Sequence, residues 1–219
     1  MKTIPRFHVI TDECVQARFS HGELARLALA GGADCIQFRE KRPRTTVELI
    51  DSARPLVEAC RETGAVAVID DRADVALALG AGAVHLGRRD LDVATARSIL
   101  GASAIIGGTA NSWAEAERVW MTDVDYLGVG PVHTTRSKAD PAPAMGLETL
   151  ARIAADSPKP VIAIGGIGPQ HIGDILRAGA HGVAVLSSVV AADRPRDAAR
   201  ACAASLREAL ARISHQGPR

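Results

Sequence analysis

Short apolar runs alternate with longer stretches of helical periodicity from one end of the chain to the other. Eight runs have strand length: Phe7–Thr11, Cys35–Arg39, Ala65–Ile69, Val84–Leu86, Ala104–Gly107, Tyr126–Gly130, Pro160–Ile164 and Val183–Ser187. Amphipathic segments lie between them, among them Ser20–Ala30, Thr45–Glu62, Trp113–Val119, Gly146–Ala155 and Gln170–Ala178, and Arg194–Ile213 forms a last one. Ser112 ahead of Trp113-Ala114-Glu115 reads as a capping-box start. Alanine–glycine punctuation precedes several strands, as in Leu79-Gly80-Ala81-Gly82-Ala83 and Arg177-Ala178-Gly179-Ala180-His181, where glycine suits a left-handed helix end. The strands read as continuous apolar runs, the pattern of a parallel sheet covered by helices. Eight βα units predict an α/β fold, a single closed (β/α)8 TIM barrel rather than an open doubly wound sheet.

The length, 219 residues, suits one barrel domain over residues 1–219, and no linker or composition shift divides it. His215–Arg219 are expected to fray, about five residues in all. With 26 basic and 25 acidic residues the net charge is +1, so bulk charge points neither to nucleic acid nor to an anionic membrane. Aromatics at 3% argue against a stacking platform for single strands. No stretch has the apolar length of a membrane span, and a strand-like run begins too early for a secretory signal. Cys14, Cys35, Cys60 and Cys202 lie far apart without a CxxC pair, as in a reduced cytoplasmic protein.

Chemistry in such a barrel gathers at the C-terminal strand ends, where the βα loops converge. At the end of the second strand, alternation sends Gln37, Arg39 and Lys41 to one side and Phe38 and Glu40 to the other. Two cations and an amide on one face suit a multiply charged anion, Arg as a fork and Lys as a point charge. A solvated rim with Arg39 and Glu40 in surface ion pairs is the plainer reading. Asp71 after the third strand and Asp90 after the fourth form a pair of hard oxygen donors for Mg²⁺. For these the plainer reading is a helix N-cap at Asp70 or Asp71 and a turn at Asp90.

The loop 132–144 is long and polar, and its hydroxyls and Lys138 are candidate phosphate donors on a segment able to close over reactants. Thr109 closes the fifth strand. His133 is a candidate proton carrier or simply a packed loop-root histidine. Gly165-Gly166 after the seventh strand and Leu186-Ser187-Ser188 after the eighth sit where these barrels usually cradle a phosphate. Two anion sites follow: a diphosphate site with Arg39, Lys41, Lys138 and Mg²⁺, and a monophosphate site of glycines and hydroxyls.

Read in order, Ile10-Thr11-Asp12, Gln37-Phe38-Arg39-Glu40-Lys41, Asp70-Asp71-Arg72, His85-Leu86-Gly87, Gly130-Pro131-Val132, Thr135 with Ser137-Lys138, Gly146-Leu147-Glu148, Ala163-Ile164-Gly165-Gly166-Ile167 and Gly182-Val183-Ala184-Val185 resemble the thiamine phosphate synthase family over nearly the whole chain. The resemblance implies a cytoplasmic transferase joining 4-amino-2-methyl-5-hydroxymethylpyrimidine diphosphate to 4-methyl-5-(2-phosphoethyl)thiazole. It implies that Gln37, Phe38, Arg39, Glu40, Lys41, Asp70, Thr109 and Lys138 serve the pyrimidine diphosphate, with Arg39, Lys41 and Lys138 as the catalytic cations. Asp71 and Asp90 would hold Mg²⁺. Thr135, Arg136, Ser137, Gly166, Leu186 and Ser187 would hold the thiazole phosphate. The implied chemistry is dissociative: diphosphate leaves, and the thiazole nitrogen captures the pyrimidine-methyl cation.

Three residues depart from the family pattern: Asp70 where asparagine is usual, Arg88 for glutamine, and His133 where an apolar or aromatic residue is commoner. His133 keeps a thiazole tautomerase paralogue as a rival, although that group puts histidine where this chain has Pro131. A catalytically silent sensor of thiamine precursors and a sugar-phosphate isomerase are two further rivals. The partners expected are small molecules, with no nucleic acid or membrane, and oligomeric state stays open, a homodimer included.

Overall fold

The computed structural model describes residues 2–135, 137 and 142–215. Its strands are β1 (Phe7–Thr11), β2 (Cys35–Phe38), β3 (Val66–Asp70), β4 (Ala83–Leu86), β5 (Ile105–Ala110), β6 (Tyr126–Val129), β7 (Val161–Ile164) and β8 (Gly182–Val185). Each runs parallel to its successor, and β8 pairs with β1 through Phe7↔Val183, His8↔Ala184 and Val9↔Val185, which closes the barrel. The intervening helices are α1 (His21–Ala30), α2 (Thr46–Thr63), α3 (Ala73–Leu79), α4 (Val93–Leu100), α5 (Trp113–Trp120), α6 (Gly146–Asp156) and α7 (Pro169–Arg177). A short α8 (Ser187–Val190) and the long α9 (Pro195–His215) follow β8. No helix among the described residues is long and apolar enough to cross a membrane.

Side-chain alternation builds two cores. One face of each strand packs under the helices: Phe7 and Val9, Ile36 and Phe38, Ala67 and Ile69, Val84 and Leu86, Leu127 and Val129 belong to that outer core. The other face fills the barrel. There Ile10, Tyr126, Ile162 and Ala184 form one cluster, and Cys35, Val68 and Ala83 another. The same inward register carries Gln37, Asp70, His85 and Thr109 up β2 to β5, whereas β7 offers Ile162 and Ile164, and Ala184 and Leu186 follow on and after β8. One half of the mouth is therefore polar and the other apolar.

Local signals place the helices. Ser20 and Thr45 make capping boxes with Glu23 and Glu48. Ser112 Oγ accepts from Glu115 N at 3.2 Å, but the Glu115 carboxylate accepts from Asn111 N, one residue earlier than a capping box requires. The Gly80 backbone is left-handed at φ 60°, as its place after α3 requires. Strand β5 runs three residues beyond the expected Ala104–Gly107, because Gly108, Thr109 and Ala110 pair with Leu127, Gly128 and Val129 whatever their own propensity. Strand β8 stops at Val185 rather than Ser187, since Leu186 turns the chain and Ser187 opens α8.

Candidate active site

The C-terminal end of β2 behaves as alternation dictates. Gln37 Nε2 donates to Asp70 Oδ1 at 2.7 Å, Arg39 Nε lies 4.0 Å from Asp70 Oδ2, and Lys41 Nζ lies 3.0 Å from that same oxygen. Gln37, Arg39 and Lys41 thus converge. Phe38 and Glu40 face away. Phe38 is buried in the outer core with its ring 4.4 Å from that of His21, and Glu40 is held by Arg42. Both line a cleft of about 350 Å³ between β2, β3 and their helices, which also reaches Asp70, Asp71 and Asp90.

Strict alternation would point consecutive Asp70 and Asp71 to opposite faces, yet both meet Lys41. The cause is the Asp71 backbone, left-handed at φ 64°, a conformation that aspartate tolerates better than most side chains. Asp71 N donates to His85 O at 2.8 Å and Arg72 N to Asp70 O at 2.8 Å, so the chain folds back at the strand end. Neither aspartate caps α3, whose N-cap is Arg72. Asp90 accepts from Gly87 N at 2.7 Å in a turn that sets its carboxyl beside that of Asp71.

Electrostatics divide these carboxyl groups. Burial, together with the neighbouring Asp71, raises the pKa of Asp70. Burial and the bond to Asp71 raise that of Asp90 as well. Burial opposes ionisation of Asp71 too, but bonds from Lys41 and Asp90 outweigh it and hold its pKa below the ordinary value. Arg39 pairs with buried Asp12. Two cations, Arg39 and Lys41, thus stand among four carboxyl groups, Asp12, Asp70, Asp71 and Asp90. Arg42, Arg44 and Arg72 line the adjoining cleft with Asp70, Asp71 and Asp90. Two carboxyl groups facing each other are a donor set suited to a hard divalent cation, and Asp71 and Asp90 fit Mg²⁺ on that ground.

Below this cluster lies a polar floor. His85 Nε2 is 2.8 Å from Thr109 Oγ1, and His85 Nδ1 is 3.1 Å from Tyr126 Oη. Glycines make room for it: a Cβ at Gly128 would fall 2.7 Å from His85 Cε1, and one at Gly107 would fall 2.2 Å from Tyr126 Cζ. Tyr126 is buried, and that burial lifts its phenol well above the usual range. The sequence pattern marks Tyr126 only as strand and does not single out Asp12. A usable signal exists for both, since Asp12 directly follows β1 as Asp71 follows β3, and Tyr126 faces inward two residues before Gly128.

Across the mouth, Val132 N donates to Ile164 O and His133 N to Gly165 O, seating the start of the β6 loop on the β7 loop. Gly166 is left-handed at φ 64°, and a Cβ there would meet Thr134 O at 2.6 Å. Thr135 Oγ1 and Ser137 Oγ lie 3.3 Å apart, just beyond Thr134 in the same loop. Ser187 begins α8 after Leu186. Arg136 and Lys138, read from the sequence as phosphate and leaving-group contacts, lie outside the described residues, as do the last four of the five residues expected to fray. The His133 ring packs on His171 of α7 with centroids 4.4 Å apart, the loop-root packing that is one of its two readings.

A family model described as thiamine monophosphate synthase matches residues 7–189. The chain belongs to that family. A thiamine-phosphate synthase of Salinibacter ruber is 47% identical over 197 residues, covering 90% of this chain and 86% of the relative. Another, of Methanoculleus marisnigri, is 41% identical over 96% of this chain and 97% of its own length. The solved structure of thiamine phosphate pyrophosphorylase from Pyrococcus furiosus superposes with a TM-score of 0.84 at 35% identity, covering 94% of this chain and 96% of that one. Family membership agrees with the order of short motifs along the barrel and with the closed eight-stranded topology.

Proposed function

We propose that this member of the thiamine monophosphate synthase family is a transferase that joins the pyrimidine diphosphate to the thiazole phosphate, giving thiamine phosphate and inorganic diphosphate. The C–O bond at the pyrimidine methylene breaks, diphosphate takes the electron pair, and the thiazole nitrogen forms the new C–N bond. The observation that carries the site assignment is the contact between Asp71 and Asp90 beside Lys41. Carboxylates there repel a diphosphate unless a divalent cation stands between them, so Asp71 and Asp90 are the residues that would hold Mg²⁺. When bound, Mg²⁺ supplies charge neutralisation of the leaving diphosphate.

This chain's own residues do the rest. Arg39 and Lys41 bind the diphosphate, and Lys138 assists its departure. Gln37 and Asp70, joined at 2.7 Å, edge the pyrimidine pocket. With Tyr126 donating to His85 Nδ1, His85 Nε2–H donates to Thr109, and the Thr109 proton is free for a pyrimidine nitrogen. Thr135, Arg136, Ser137, Gly166, Leu186 and Ser187 hold the thiazole phosphate and keep its ring nitrogen close to the cationic carbon. The tautomerase reading is disfavoured because Pro131 stands where that group places histidine, and the relatives at 47% and 41% identity are named thiamine-phosphate synthases. Four free thiols, three of them buried, support a reduced cytoplasmic setting.

The deciding experiment incubates purified protein with both phosphorylated halves and Mg²⁺ and follows thiamine phosphate and diphosphate. Equimolar release of the two is expected. Binding of both halves without either product would overturn the transferase reading.

A further inference from the structure

Behind the diphosphate side of the mouth lies a second cluster of donors, to which the proposed reaction assigns no step. Glu13 lies in the loop after β1, His21 opens α1, and Glu40 follows β2. The His21 side chain is wholly buried, and its Nε2 has no hydrogen-bond partner. That nitrogen is 3.8 Å from Glu13 Oε1 and 3.7 Å from Glu40 Oε2, too far for a hydrogen bond to either. One donor atom from each of the three residues lies within 4.8 Å of the others.

Thr11 Oγ1 lies 2.7 Å from His21 Nδ1 and 3.3 Å from Gln37 O. In the tautomer that carries its proton on Nδ1, that nitrogen donates to Thr11 and the Nε2 lone pair faces the two carboxylates. Such a buried lone pair is repelled by both unless something positive sits among them. Arg42 bridges the two carboxylates: its Nε donates to both Glu40 oxygens at 2.9 and 3.0 Å, and its terminal nitrogen reaches Glu40 Oε2 and Glu13 Oε2, while Glu13 Oε1 accepts from His21 N at 3.2 Å. Two carboxylates against one guanidinium leave one negative charge to be met.

We propose that Glu13, His21 and Glu40 bind a borderline divalent cation, with zinc the preferred occupant, at a site separate from the Asp71–Asp90 pair. Metal bonds of about 2.0–2.2 Å in a tetrahedron put donors roughly 3.4 Å apart; the two imidazole–carboxylate distances, 3.8 and 3.7 Å, need to contract by a few tenths of an ångström, and the two carboxylate oxygens close in from within 4.8 Å. Imidazole nitrogen with carboxylate oxygen selects zinc and its neighbours over magnesium. The 2.7 Å contact of Nδ1 with Thr11 is of the kind that orients a metal-bound histidine. Such an ion ties the β1 loop, the start of α1 and the end of β2 together, and so braces the segment bearing Arg39 and Lys41.

The test uses the whole protein, stripped with chelator and titrated with Zn²⁺ by calorimetry and native mass spectrometry, with Mg²⁺ as the comparison. The parent should take up one tightly bound Zn²⁺ that excess Mg²⁺ does not displace, and its melting temperature should rise. Glu13→Gln should weaken that binding at least tenfold and His21→Gln should abolish it, whereas Asp71→Asn with Asp90→Asn should keep it. Because His21 is buried, circular dichroism must first show that its variant is folded; if it is not, Glu13→Gln alone decides. Zinc uptake equal in parent and Glu13→Gln overturns the proposal. Imidazole nitrogen shifts showing His21 protonated on both nitrogens, with zinc present or absent, would do so as well, since a proton would then fill the gap.

Discussion

His85 and Thr109, on neighbouring strands of the barrel, share a 2.8 Å hydrogen bond whose far end is anchored by Tyr126. The three side chains form a line from the closed barrel interior up to the mouth. Orienting one hydroxyl at the surface of the site thus depends on a phenol buried beneath it.

Tyr126→Phe removes that anchor and with it the bond between phenol and imidazole. The expected cost is about 1–3 kcal/mol of stability, read from denaturant melts. Turnover should also fall, since Thr109 loses its fixed orientation. Melts that coincide with the parent would show that the line carries no weight.

Gly128→Ala and Gly107→Ala place a methyl group 2.7 Å from His85 and 2.2 Å from Tyr126. Neither ring has room to retreat within a filled barrel, so each variant should lose roughly 1–3 kcal/mol, the usual cost of overpacking. Gly107→Ala should be the worse of the two by thermal melting. The reverse order would mean that the Tyr126 ring moves more easily than the imidazole.

Asp71→Asn keeps a side chain that tolerates the left-handed backbone and removes one negative charge. Activity should drop at least a hundredfold, and the residual rate should no longer respond to Mg²⁺. Parent-like activity in the presence of chelator would dismiss the metal assignment for this residue and for Asp90.

Lys138→Ala should lower kcat with little change in thiazole phosphate binding, because its assigned partner is the departing diphosphate. Equal kcat in variant and parent, from steady-state assays, would refute that role.

His8 titrates far from the mouth. Burial brings its pKa down from 6.5 to about 4, against the partial support of a bond to Pro5 O. The unfolded chain therefore binds a proton at higher pH than the folded one. Stability is fully present above about 6.5 and is lost as pH falls toward about 4, by up to roughly 3 kcal/mol over that window. His8→Gln should flatten this part of the pH–stability curve in urea melts. A curve as steep as the parent's would place the titrating group elsewhere.

The barrel is legible because its signals are local. Apolar runs, caps such as Ser20 and Thr45, and glycines after helices locate strands and helices without long-range information. The inward set Gln37, Arg39 and Lys41 follows from simple alternation, and the structure brings the three together on Asp70. Other features are not local. That Asp70 and Asp71 share Lys41 depends on one left-handed residue, which no spacing rule announces. The pairing of Arg39 depends on Asp12, contributed by a strand end 27 residues away in the chain. The two short helices α3 and α4 carry too few turns for periodicity to single them out.

The division of the barrel rim between hydrophilic strands β2 to β5 and hydrocarbon from Ile164, Ala184 and Leu186 bears on the fate of a short-lived electrophile. In the proposed reaction the carbocation forms where ions and amides can steady it, facing hydrocarbon on the opposite strands. Hydrocarbon offers water no hydrogen bonds, so capture by the thiazole nitrogen is favoured over hydrolysis on that side.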